Sequence, residues 1–107
     1  MQTYYKTTLE DTLYDEDTAV LTYKINYPCI SSSFCSVQSI NDFYYREAKN
    51  SENYCRTILY QQALENAKDT QARPFNSYEF IIDFTVTYNE KCILSLYTDT
   101  YTYTGGA

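Results

Sequence analysis

From Tyr78 to Tyr88 the side chains change character at almost every step. Tyr78, Phe80, Ile82, Phe84, Val86 and Tyr88 alternate with Glu79, Asp83, Thr85 and Thr87, and Ile81 is the one exception. Period two places successive side chains on opposite faces, so this run predicts a strand with one buried and one wet face. After the turn-like Asn89-Glu90-Lys91, a second run carries Leu94 and Leu96 on one parity and Tyr97, Tyr101 and Tyr103 on the other. Together they predict a β-hairpin. Gly105-Gly106-Ala107 follows and the chain stops, which is the expected appearance of a piece of something longer. The 107 residues fit one domain and are too few for two independent cores.

A second hairpin is predicted at the other end. Tyr4 to Leu13 mixes Tyr, Thr and Leu as a strand, and the acidic quartet Tyr14-Asp15-Glu16-Asp17 reads as its turn. Then Ala19, Leu21, Tyr23, Ile25 and Tyr27 take one face against Thr22, Lys24 and Asn26, until Pro28 ends the strand or marks a sheet edge. Ser31-Ser32-Ser33 and two cysteines suit an irregular connection. Ser39 with Asp42 reads as a capping box, and Ile40, Phe43, Tyr44 and Ala48 follow at helical spacing. Asn50-Ser51-Glu52-Asn53 interrupts that pattern. It resumes with a rotated stripe of Tyr54, Cys55, Ile58, Leu59, Ala63, Leu64 and Ala67, either as one bent helix or as two. Gln71 to Asn76, with Pro74, ends the helical stretch. The expected fold is α+β, in the order β-β-α-β-β. Two hairpins form an antiparallel or mixed sheet, and the helical segment covers one face. The other face is expected to be polar and rich in Thr and Tyr.

Composition narrows the function. A formal charge of −6, with eight scattered basic residues, argues against nucleic acid or an anionic membrane as partner, because phosphate neutralisation needs clustered Lys and Arg. It suits a basic partner. No apolar run approaches the ~20 residues that span a bilayer, so no membrane insertion by this segment is expected. The 14 Tyr each bring a hydroxyl that wants a partner when buried, so most belong at the rim of the core or on an exposed face.

The chain has no His, which removes imidazole proton shuttles, His-based nucleophile relays and His-ligated catalytic metals. Gly105 and Gly106 are its only glycines, so it has no glycine-rich phosphate loop. Glu10, Asp11, Asp15, Glu16 and Asp17 are the acid–base candidates, but all lie in or beside a predicted turn, where solvated charge is the ordinary role. Calcium at Asp15 to Asp17 lacks the glycine and terminal glutamate of an EF-hand loop. No cofactor, metal or catalytic site is expected. Four cysteines permit two disulfides or serve equally well as free or partly buried thiols; if any pair is bridged, Cys29 with Cys35 is favoured because it closes a short loop. Cys55 and Cys92 then read as apolar positions on a helix and a strand. Tyr97, Asp99, Tyr101 and Tyr103 fall on the outward parity and form the candidate surface for a partner or a companion domain.

Three stretches carry a resemblance: Tyr23-Lys24-Ile25-Asn26-Tyr27-Pro28-Cys29-Ile30, Ser39-Ile40-Asn41-Asp42-Phe43-Tyr44, and Leu94-Ser95-Leu96-Tyr97 leading to Tyr101-Thr102-Tyr103-Thr104-Gly105-Gly106-Ala107. From about Tyr4 onward the chain resembles the bacterial envelope domain at the N-terminus of PdaC-type peptidoglycan deacetylases, also found in the extracellular part of RsiV-type anti-sigma factors. The resemblance implies an extracytoplasmic, non-catalytic binding module followed by a companion C-terminal domain, since the deacetylase's metal-binding motifs belong to a separate domain. It implies peptidoglycan or lysozyme as a partner. The parent protein would be either a deacetylase, with this part as accessory, or an anti-sigma factor, with this part as sensor.

Overall fold

The computed structural model describes residues 3–32, 36–69, 75–90 and 92–105. Strands β1 (Thr3–Asp15) and β2 (Thr18–Ser31) form the first hairpin, and β3 (Tyr78–Glu90) and β4 (Ile93–Tyr103) form the second. Between them runs a helical segment of α1 (Gln38–Tyr54), a π-helical turn (Cys55–Leu59) and α2 (Tyr60–Lys68). One four-stranded sheet results, in the order β1-β2-β3-β4. The hairpins are antiparallel, but β2 and β3 join in parallel from Leu21 opposite Tyr78 to Ile25 opposite Ile82. The sheet is therefore mixed, and the helical segment is the crossover that parallel neighbours require.

The core lies between the helical segment and the seam of the two hairpins. Leu21, Tyr23 and Ile25 of β2 and Tyr78 and Phe80 of β3 meet Ala48, Cys55, Leu59 and Ala63, all buried. Full burial of one large aliphatic side chain such as Leu59 or Ile25 contributes about 1.5–3 kcal/mol. The four helical residues keep one face because of the π-helical turn. A straight α-helix would rotate the stripe steadily away from the sheet. The i→i+5 bond from the Tyr60 N–H to the Cys55 carbonyl takes in an extra residue and turns the stripe back. The expected interruption at Asn50 to Asn53 is thus continuous helix, and the irregularity comes just after it. Thr57 Oγ1 donates to the Asn53 carbonyl at 2.6 Å within the turn, while Ile58 is turned outward, 55% exposed.

The helix also starts differently. It begins at Gln38 with Val37 as N-cap and no side-chain cap, so Ser39 and Asp42 do not form the expected capping box; Asp42 accepts instead from the Gln38 amide at 2.9 Å. Asn41 has the structural role. The Ile30 N–H donates to Asn41 Oδ1 at 2.8 Å, and Asn41 Nδ2 donates to the Ile30 carbonyl at 3.0 Å. One side-chain amide thereby stands in for a neighbouring strand, because β2 runs on to Ser31 after its pairing with β3 has ended at Ile25. Asn26 does related work, donating to the Ile82 carbonyl at 3.0 Å while accepting from Thr8 Oγ1 at 2.7 Å, which explains why this polar residue is buried. Pro28 shares the parity of Ile30. Its missing N–H faces the side where β3 has left, so the proline marks an edge within β2 and does not end the strand.

Two bulges adjust the parities. Leu13 faces Leu21 but Tyr14 faces Ala19, so Val20 is the extra residue and is buried beside Leu21. In the second hairpin Val86 faces Leu96 and Tyr88 faces Ser95, so Thr87 is extra and Tyr88 turns outward, 42% exposed, against the parity expected for it. The tight turn after β1 puts Glu16 at φ +56°, and the turn after β3 puts Cys92 at φ +65°, both unusual for non-glycine residues. Gly105 is needed where it stands. Its φ is +75°, and a Cβ there would lie 2.7 Å from the Asn76 carbonyl oxygen.

Asn41→Ala leaves both backbone groups of Ile30 without a partner and is expected to destabilise the fold by about 1–3 kcal/mol, lowering the urea midpoint. Asn41→Asp keeps the acceptor, loses the donor, and should fall between the two.

Candidate functional site

The register of β3 and β4 decides which side chains share the face away from the helical segment. Tyr103 stands opposite Glu79, Tyr101 opposite Ile81, Asp99 opposite Asp83 and Tyr97 opposite Thr85. All four candidates from the sequence therefore lie in one row. Tyr97 is 52% exposed and Tyr101 47%, Asp99 is exposed and Tyr103 half-buried. Among the described residues no helix or loop covers this face, which is the polar, Thr- and Tyr-rich side expected.

Two neighbours join the row. Ile81 is the exposed apolar residue that broke the alternation, and it sits beside Tyr101. Lys6 reaches from β1 to Asp83 at 3.2 Å. The Phe84 N–H donates to Asp83 at 2.9 Å, and this bond, with Lys6, holds that carboxyl below its usual range. Two aspartates directly opposite each other would repel. Lys6 relieves that repulsion, and only the arrangement of strands brings it close. Tyr4 of β1 also meets Phe84 edge-on, with ring centres 6.4 Å apart.

The acid–base candidates are placed differently. Glu16 and Asp17 form the hairpin turn, Asp15 ends β1 opposite Thr18, and Glu10 lies exposed on β1. Asp11 alone enters a network. Arg56, in the π-helical turn, donates to Asp11 at 2.9 Å and to the Tyr23 hydroxyl at 3.0 Å. That hydroxyl in turn donates to Glu52 at 2.7 Å, and Lys49 pairs with Glu52 at 2.6 Å. Tyr23 has a wholly buried ring, and burial followed by Glu52 raises its pKa, so the hydroxyl stays protonated as a donor. Its polar tip emerges where helix meets β1, and the network is a clasp between them. Every charge in it is already spent on a partner, and among the described residues no three Cys, Asp or Glu could jointly hold a metal ion.

Where β2 and β3 diverge, a cleft of about 190 Å³ opens under α1, lined by Ile25, Tyr27, Tyr44, Ile82, Phe84 and Leu96. Glu47 is its single carboxylate among the described residues. Burial raises the pKa of both Tyr27 and Tyr44, so their hydroxyls stay protonated.

The cysteines depart from expectation. Because β2 continues past Pro28, Cys29 is held in the ladder opposite Tyr5 as a free thiol, so of the two alternatives the Cys29–Cys35 bridge is the one not formed. Cys35 lies outside the described residues. Cys92 is disulfide-bonded and sits in the β3–β4 turn. Cys55 is free and buried, its thiol pushed up to about 12 by desolvation, so it serves as a small apolar core residue.

The clasp should make stability depend on pH in one direction. Hydrogen bonds from Arg56 to Asp11, and from Lys49 and Tyr23 to Glu52, hold both carboxyl pKa values below their unfolded values. Their contribution is complete above the ordinary carboxylate range and is lost as pH falls through the depressed folded values. Urea midpoints measured from neutral pH downward should hold steady until about pH 4 and then drop. Glu52→Gln should flatten part of that drop.

No curated protein matches the chain. Among protein families, the one described as Deacetylase PdaC matches residues 14–107, from the end of β1 through the helical segment to the last residue. That span takes in both hairpins' turns, the crossover and the tyrosine row. The chain belongs to the PdaC deacetylase family, whose deacetylases are cell-envelope proteins.

Proposed function

We propose that this chain is a non-catalytic, extracytoplasmic binding module of a bacterial cell-envelope protein, and that it presents the tyrosine and aspartate row of β4 to cell-wall glycan. The supporting observation is the open sheet face, where Tyr97, Asp99 and Tyr101 are exposed side by side. Tyrosine rings are rigid and amphipathic, so they stack on the C–H faces of sugar rings at little entropic cost. A carboxylate between them accepts hydrogen bonds from sugar hydroxyls. Membership of a deacetylase family supports the accessory role, in which a companion domain performs the chemistry and this domain holds the polymer.

A second reading has its own support. The formal charge of −6 favours a basic, wall-active protein such as lysozyme, and the module would then act as the sensor part of an anti-sigma factor. NMR titration separates the two. Peptidoglycan fragments should perturb residues 97–103 and their β3 neighbours, and Tyr97→Ala with Tyr101→Ala should weaken binding at least about tenfold while leaving the fold intact. Perturbation by lysozyme alone, fading between low and moderate salt, would transfer the function to the second reading. No perturbation by either would remove both, and deacetylation of glycan fragments by the isolated chain would overturn the non-catalytic role.

A further inference from the structure

We propose that the free edge of β4 is a self-recognition strand, pairing antiparallel with β4 of a second copy in a register centred on Thr100. This goes beyond the binding role above and does not depend on it.

The two edges of the sheet are built differently. Edge strands expose unpaired N–H and C=O groups and invite further pairing unless charges, prolines or short length prevent it. On β1 the edge carries Lys6, Glu10, Asp11 and Asp15. On β4 the eleven residues include no Lys, Arg or Pro, and Asp99 is the only charge. Both parities are exposed from residue 97 to 102, and among the described residues no strand lies beyond β4. The buried stripe of the helical segment packs at the β2–β3 seam, which leaves room for a neighbour at this edge.

The occupant is a second copy because the strand is complementary to itself when paired about Thr100. Centring two antiparallel β4 strands on Asp99 would set the two carboxylates directly opposite each other, which is repulsive. Moving the centre to Thr100 removes that clash. Tyr97 then faces Tyr103 of the second copy, and Asp99 faces Tyr101, whose hydroxyl can donate to the carboxylate. On the opposite face Thr98 meets Thr102, and Thr100 meets its own counterpart. Aromatic pairs and Thr–Thr pairs are among the favourable cross-strand combinations. The dyad stands perpendicular to the sheet, so both tyrosine rows share one face and the two sheets continue as one.

Seven residues from each copy bury well under the roughly 800 Å² per partner of a standard interface, so the dimer is weak. Each copy also carries a formal charge of −6, which opposes association unless salt screens it.

Two measurements on the whole chain test the proposal. In sedimentation equilibrium from about 10 µM to about 1 mM, the average mass should rise toward twice the monomer value, more so in about 0.5 M than in about 0.05 M NaCl. A constant monomer mass under all conditions overturns it. Thr100→Cys places two thiols across the dyad at a spacing a disulfide can bridge, whereas Thr98→Cys leaves them about 14 Å apart along the strand. Under mild oxidation, with the unsubstituted chain as control for Cys29, covalent dimer is expected from Thr100→Cys alone. No covalent dimer from Thr100→Cys, or as much from Thr98→Cys, overturns the register.

Discussion

The parallel seam between β2 and β3 is the constraint on which this fold depends. It runs only from Leu21 to Ile25 on one strand and from Tyr78 to Ile82 on the other, yet each hairpin strand is more than twice as long. Neither hairpin alone buries enough surface to be stable in water. Joined at the seam and roofed by Ala48, Cys55, Leu59 and Ala63, they share one core. The short seam also explains the polar architecture at its end. Once β3 diverges, the backbone of β2 needs other partners, and Asn26 and Asn41 supply them through side-chain amides. Pro28 needs none.

A second consequence is the division of labour between the faces. On the helical side, stability requires a stripe that stays in register from Ala48 to Ala63, and the π-helical turn corrects its drift. The same turn places Arg56 within reach of Asp11 and Tyr23, so the correction and the clasp share one local distortion. The buried Tyr23 and the half-exposed charges around its hydroxyl thereby fasten the helix to β1. Nothing similar constrains the far side. Tyr97, Asp99 and Tyr101 contribute little to the core, so that face can be selected for what it meets.

Much of this was legible in the sequence because period-two alternation is a local signal. It located both hairpins, predicted a wet face of Thr and Tyr, and put Tyr97, Asp99, Tyr101 and Tyr103 on it. Bulges erase such parity one residue at a time: Val20 is buried next to the equally buried Leu21, and Tyr88 falls on the side opposite to that expected, because an extra residue leaves no mark in composition. The helix start has a misleading local signal, because Ser39 has the chemistry of a cap, whereas Asn41 is held by a tertiary contact with Ile30. Cys29 looked like a loop residue only because Pro28 was a plausible end to a strand; knowing that Pro28 is tolerated required knowing where β3 leaves. The Lys6–Asp83 pair joins opposite ends of the chain and has no local trace at all.

The choice of residues on the open side follows from the same physics. A row of Leu or Ile would make that face an aggregation surface, and a row of Lys or Glu would make it inert to sugars and to neighbouring strands. Tyrosine and threonine lie between these extremes, with high strand preference, apolar area for contact and a hydroxyl for water. Ile81 is tolerable among them because Tyr101 stands beside it, and Asp83 because Lys6 answers its charge. A face composed in this way stays soluble when bare and still gains from being covered. Those are the properties a binding surface needs, and the buried face of the same sheet could not provide them without losing the core.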